Sequence, residues 1–142
     1  MIIKTNGTTR KVQIYKDTVR KICYNGCKYE NKNEYDNYIK YKDAEVTIVN
    51  KILKFTDNII EAVKCQTLKE YFKANDIIVR NYSSAYMDDI FLHLYNDLGN
   101  KLNYREKRRY LMNTKLDFDE FQMLDNWGIN PEGELVLIDY SR

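Results

Sequence analysis

The sequence predicts an α+β protein in which a β-rich first part is followed by helices and a closing hairpin. Three observations predict it. Short runs rich in Ile and Val, broken by turn residues, fill residues 1–63. From Thr67 the apolar spacing becomes helical, opening on Thr67 and Glu70 at capping-box separation. Near the other end, Asn130-Pro131-Glu132-Gly133 divides two short apolar runs in the manner of a hairpin turn.

The bulk properties bound the rest. A chain of 142 residues predicts a single domain over 1–142, with the β-rich part at 1–63 and the helical part at 64–142. With 44% hydrophobic and 31% charged residues the composition is that of a folded protein rather than a disordered one. Lys+Arg 23 against Asp+Glu 21 leaves a net charge of +2, too small a field to draw the whole molecule onto nucleic acid or anionic lipid. Residues 1–10 lack a signal-peptide core and no apolar run reaches membrane-spanning length, so the expectation is a cytoplasmic protein without a membrane partner. Cys23, Cys27 and Cys65 are odd in number and lack the spacing of zinc or redox motifs, which predicts reduced packing residues. Richness in Lys, Asn, Ile and Tyr fits an AT-rich genome, such as that of a bacterial virus or a low-GC bacterium.

Along residues 1–24, Ile2 and Ile3, then Val12 and Ile14, then Val19, Lys21 and Cys23 alternate with polar neighbours. Asn6-Gly7 and Lys16-Asp17 supply turns between them, so a three-stranded antiparallel meander is predicted. Asn25-Gly26 ends it, and residues 30–42 read as a helix with Tyr35, Tyr38 and Ile39 as its apolar stripe and Glu34 beside them. Residues 46–55 and 59–63 read as two further strands about the turn Thr56-Asp57-Asn58. After the capping box, Leu68, Tyr71 and Phe72 form a helix face. Residues 86–102 carry the longest helical pattern, with Ile90, Phe91, Leu94, Tyr95, Leu98 and Leu102 as its stripe and Gly99 loosening its end.

The run DNWGINPEGELVLIDYSR sets an amide, Asn126, before one hairpin strand and a carboxylate, Asp139, after the other. Hard divalent ions take oxygen ligands, and one or two protein oxygens suffice for magnesium that also holds phosphates. Asn126 and Asp139 are therefore candidate metal ligands, though the same residue types also serve as a cap and a turn residue.

Here the sequence resembles the protein-kinase and aminoglycoside-phosphotransferase superfamily, in which a catalytic-loop Asn precedes a hairpin that leads into an Asp-Phe-Gly motif. Asp139-Tyr140-Ser141 stands in that last place. The segment VRKICY is similar to the strand with the phosphate-binding lysine, at Lys21, and NEYDNYIKY to the helix whose glutamate, Glu34, pairs with it. IIEAVKCQTLKEYF is similar to the hinge between lobes, at Glu61 to Val63, entering the first helix of the second lobe. The resemblance implies a two-lobed minimal kinase-like fold that holds ATP at Lys21, Glu34, Glu61 and Val63, with Mg²⁺ on Asn126 and Asp139.

Departures from the pattern point to a pseudokinase, truncated and degenerate. The base should lie five residues before the Asn, where this chain has Phe121, which cannot accept a proton. Asp119 is the nearest carboxylate that could act as a catalytic base, and it needs a loop insertion to come into register. The chain ends at Arg142, so the expectation is that the later substrate-holding helices are missing. One glycine in KTNGTTRK replaces a Gly-rich phosphate loop. The alternatives are an interaction or inhibitor protein, possible in a virus, that uses the fold as a scaffold, and a small-molecule phosphotransferase. For a protein partner, surface tyrosines and the patch Arg105, Lys107, Arg108 and Arg109 are the candidate contacts, and that patch reads equally as a solvated face. Lys21 with Glu34 reads equally as a surface ion pair.

Overall fold

A computed structural model describes residues 2–6, 10–24, 28–79, 86–94 and 96–141, with backbone alone at 2–6, 28, 93–94 and 96–97. The fold is mixed α+β. Strands β1 (Ile2–Asn6), β2 (Arg10–Ile14) and β3 (Thr18–Cys23) form the antiparallel meander, with Lys16-Asp17 turning β2 into β3. The expected turn after Asn6, at Gly7, the Asn25-Gly26 break and the single-glycine loop fall at residues 7–9 and 25–27, outside those described. Helix α1 (Lys28–Tyr41) then leads towards β4 (Ile52–Phe55) and β5 (Ile59–Val63). Because β5 inserts between β3 and β4, the five-stranded sheet runs β1-β2-β3-β5-β4. A second antiparallel sheet, β6-β7-β8, joins Gln66–Thr67 to the hairpin strands Trp127–Ile129 and Leu135–Leu137.

Strand β5 lies inside the sheet, between β3 and β4, with the period-2 alternation of a strand covered on one face. Ile60 and Ala62 are buried, while Glu61 between them faces Arg20 of β3 and Lys54 of β4. Helix α1 covers the sheet through Tyr35, whose ring stacks on Phe55 at 4.2 Å. Of the predicted stripe, Tyr35 and Tyr38 pack against the core, but Ile39 is 48% exposed, and Asn31, Glu34 and Tyr41 are buried, so the inward face mixes tyrosines with polar residues.

Two further expectations are corrected. The strand expected over 46–55 is β4 alone, because residues 48–50 hydrogen-bond to β8 instead: Leu137 N–H donates to the Ile48 carbonyl (2.7 Å) and Asn50 N–H to the Leu137 carbonyl (2.9 Å). The backbone groups of residues 48–50 named here are satisfied by the hairpin strand β8 rather than by the five-stranded sheet. The helix expected over 86–102 contains a π-helical stretch at Asp89–Leu94 followed by α3 (Asn96–Lys101). Such widened turns arise where tertiary contacts outweigh a regular helix. Here the Asp88 N–H donates to the Gln122 side chain and the Asp88 carboxylate takes hydrogen bonds from Tyr104 and Arg108.

Thr67 caps α2 (Leu68–Ala74) as expected, its Oγ1 accepting from Glu70 N–H at 3.1 Å, while the Glu70 carboxylate accepts from the Thr67 hydroxyl at 3.0 Å rather than from its backbone N–H. Helices α4 (Tyr104–Met112) and α5 (Phe118–Gln122) complete the second part. In the hairpin turn Gly133 adopts φ +83°, the left-handed region, while Gly133 N–H donates to Asn130 O and Glu134 N–H to Asn130 Oδ1. One apolar core runs through both parts and includes Ile60, Phe72, Phe91, Tyr104, Phe121, Trp127 and Leu137. Among the described residues no helix is long and apolar enough to cross a membrane.

Candidate functional site

Lys21 and Glu34 meet. Strand β3 turns Lys21 to the α1 side of the sheet, and one helical turn after Asn31 the inward face of α1 presents Glu34. Lys21 Nζ donates to both carboxylate oxygens of Glu34 at 2.9 and 2.8 Å and to the main-chain carbonyl of Ile138. Lys21 is 8% exposed and Glu34 1%, so this is a buried pair rather than a surface one. An ammonium has three N–H donors, and three acceptors inside the protein surround this one.

Arg10, which the sequence reading passed over, completes the cluster. Its guanidinium is 1% exposed and contacts Glu30 Oε2 (3.0 Å), Asn31 Oδ1 (3.2 Å), Glu34 Oε1 (3.4 Å) and Asp139 Oδ1 (3.0 Å). Burial alone would lower its pKa, but Glu34, Asp139 and Glu30 together outweigh burial and raise it. At Asp139 burial acts to raise the pKa and is outweighed by Lys21 and Arg10, so the carboxyl is held below its ordinary range. Asn31 Nδ2 donates to the Lys21 carbonyl at 3.2 Å, tying α1 to β3. The segment after β8 is held on the same helix: Tyr140 N–H donates to Glu34 Oε1 (3.3 Å), and Asn37 Nδ2 donates to the Tyr140 carbonyl (2.6 Å). A signal for this existed in the sequence, since Glu30, Asn31 and Glu34 share one face of α1 at helical spacing.

The other predicted residues are placed differently. Asn126 Nδ2 donates to the carbonyl and to Oε2 of Glu120 (2.8 and 3.0 Å), while its own carbonyl accepts from Ile138 N–H (2.8 Å). Asn126 therefore adjoins the segment that carries Asp139, with its amide committed to α5. Glu61 lies within the ladder of β5, and Val63 donates through N–H to the Lys51 carbonyl (3.0 Å) and accepts from Asn50 Nδ2 (2.7 Å). The main-chain groups expected to read an adenine edge are thus occupied by the sheet and its neighbours. Asp119 is exposed at the start of α5, where its N–H donates to the capping Asp117 Oδ1. Instead, Asp117 and Glu120 line the crevice beneath Asp139, together with Leu116, Phe121, Leu137 and Tyr140. It encloses about 10 Å³, about the space of one water. Phe121, at the position expected for a base, is buried and its carbonyl accepts from Trp127 Nε1 at 2.7 Å.

Asp139 as placed already faces a buried cation in Arg10, which opposes a divalent ion beside it, while Asn126 is tied to α5 through its Nδ2. Among the described residues no group of three His, Cys, Asp or Glu is arranged to hold a metal. Cys65 neighbours the cluster, but burial pushes its thiol up to about 12, so it is a packing residue at neutral pH.

The basic run of α4 does not form one surface. Lys107 is 4% exposed and donates to the Leu135 carbonyl, and Arg108 Nε is bound to Asp88 Oδ1 at 2.8 Å. Arg105 and Arg109 remain on the outer face. No family model, curated protein or solved structure matches the chain.

Proposed function

We propose that this chain is a kinase-like pseudoenzyme that serves as an interaction scaffold and does not transfer phosphate. The observation that carries the reading is the state of Lys21. A lysine that binds phosphate must keep N–H donors for it, and here Glu34 and the Ile138 carbonyl take all three. The sheet order β1-β2-β3-β5-β4, with α1 entering between β3 and β4 and a hairpin leading into Asp139, supports a kinase-like, two-lobed arrangement. Phe121 in the place of the base supports the loss of transfer. Exposed side chains that such a scaffold could offer include Tyr29, Tyr86, Arg105 and Arg109.

A second reading, nucleotide binding without transfer, is favoured by the same Lys21–Glu34 pair, since a glutamate that fixes a lysine stem is what phosphate contact requires. It rests on one rearrangement, the exchange of the Ile138 carbonyl for a phosphate oxygen.

A thermal-shift titration with ATP and Mg²⁺ separates them. A ligand present at a hundred times its Kd stabilises by about 2.7 kcal/mol, which is readily seen. The scaffold reading predicts an unchanged melting temperature at millimolar nucleotide, and ATP turnover at background in both the wild type and Asp119→Ala. Saturable stabilisation that disappears in Lys21→Met would overturn it in favour of the second reading.

A further inference from the structure

We infer that Arg10 is the permanent cation of this site, seated between Glu34 and Asp139 where a divalent ion would have to sit, so that the native protein excludes the metal and replacing Arg10 opens a divalent-cation site. The inference deepens the pseudoenzyme reading and rests on it for treating Asp139 as a former metal ligand.

The geometry is specific. One nitrogen, Nη2 of Arg10, contacts both Glu34 Oε1 at 3.4 Å and Asp139 Oδ1 at 3.0 Å. Nε of the same guanidinium holds Glu30 Oε2 at 3.0 Å. Three carboxylates therefore converge on one planar cation that almost no solvent reaches. Magnesium binds carboxylate oxygens at about 2.0–2.1 Å, so an ion at the Nη2 position would require the Glu34 and Asp139 oxygens to close in by roughly 1 Å, with Glu34 Oε1 still shared with Lys21 Nζ and Tyr140 N–H.

Charge explains why the guanidinium excludes that ion. Arg10 and Lys21 bring two positive charges to Glu30, Glu34 and Asp139, and the sum over these five groups is −1 (two cations, three anions). Adding a divalent ion would take the cluster to +1 in a buried setting, beside a cation that cannot lose its proton. Removing Arg10 takes the cluster to −2, which a single divalent ion neutralises. Arg10 also spans β2, α1 and the segment after β8, a reach that a small ion without its own stem cannot reproduce. The sheet and the C-terminal segment are thereby fastened without any dependence on metal supply.

The test uses Mn²⁺ alone, followed by electron paramagnetic resonance of the free ion. It involves no nucleotide, so its result stands whichever way the ATP titration falls. Wild-type protein is expected to leave Mn²⁺ free. Arg10→Gln, checked for folding by circular dichroism, is expected to bind at least roughly tenfold more tightly than wild type. Adding Asp139→Asn to that variant should abolish the gain. Mn²⁺ binding by wild type that Asp139→Asn removes would overturn the inference, as would a folded Arg10→Gln that gains none. If Arg10→Gln is unfolded without metal, refolding in millimolar Mn²⁺ supports the inference and failure to refold there overturns it.

Discussion

Lys107 illustrates how far a single residue can depart from its sequence context. It sits in a run of basic residues that reads as a solvated face, yet it is buried and donates to the Leu135 carbonyl. Burial pushes its ammonium down to about 8, with Glu134 and Glu106 only partly opposing. In the unfolded chain a lysine titrates near about 10.4, so between about pH 8 and pH 10 the unfolded state binds more protons than the folded one. Stability from this group therefore rises with pH across that window, opposite to the trend of a lysine whose pKa is raised by a partner. Urea denaturation at steps across it should show wild type gaining stability relative to Lys107→Met. Parallel pH profiles for the two would contradict the assignment. Nothing in the sequence marks Lys107, rather than Arg105 or Arg109, as the inward residue, because its burial depends on the hairpin carbonyl that α4 meets. Arg10 was hidden for the same reason: its partners lie on α1 and beyond β8, at separations of 20 (Arg10 to Glu30) to 129 residues. Lys21 and Glu34 were legible because their residue types matched a motif order, not because local pattern located them.

Among elements, those with strong local signals formed as read: the meander, β5, the capped α2 and the hairpin. Elements whose limits are set by distant partners did not. Residues 48–50 follow a β pattern but hydrogen-bond to β8, so β4 begins only at Ile52. Helix α4 is so polar that its pattern reads as a charge run, although Tyr104, Lys107 and Leu111 form a buried face. Gly99 was expected to loosen a helix end, and the structure gives it a different task. A Cβ built there would lie 2.5 Å from the Phe91 carbonyl oxygen, so the absent side chain lets α3 approach the π-helical turn. Helix propensity alone favours Ala over Gly by about 1 kcal/mol. The backbone contact should reverse this, and Gly99→Ala is expected to be destabilised by about 1–3 kcal/mol in chemical denaturation. A stabilised Gly99→Ala would show that the approach is not as close as described.

Over the whole molecule, the charged cluster is the junction of three parts distant in the chain: the five-stranded sheet through Arg10 and Lys21, the covering helix through Asn31 and Glu34, and the post-hairpin segment through Asp139 and Tyr140. The α+β class was legible from composition and periodicity. The convergence of Lys21, Glu34 and the Asp139 segment followed from motif order, whereas the closure of the cluster by its own cation did not, since it depends on where three elements pack. Buried charge of this kind is a weak source of net stability, because desolvation offsets much of the attraction, but it couples its members strongly. The proposed scaffold role depends on that coupling.

The most direct measurement is a double-mutant cycle on Arg10 and Asp139, with Arg10→Gln, Asp139→Asn and the double variant unfolded in urea without metal. Residues that share a network typically show coupling of about 0.5–3 kcal/mol, and the account predicts about 1 kcal/mol or more, with the double variant less destabilised than the sum of the singles. Additivity within about 0.3 kcal/mol would mean that Arg10 does not hold Asp139, and the closed-site account would be wrong.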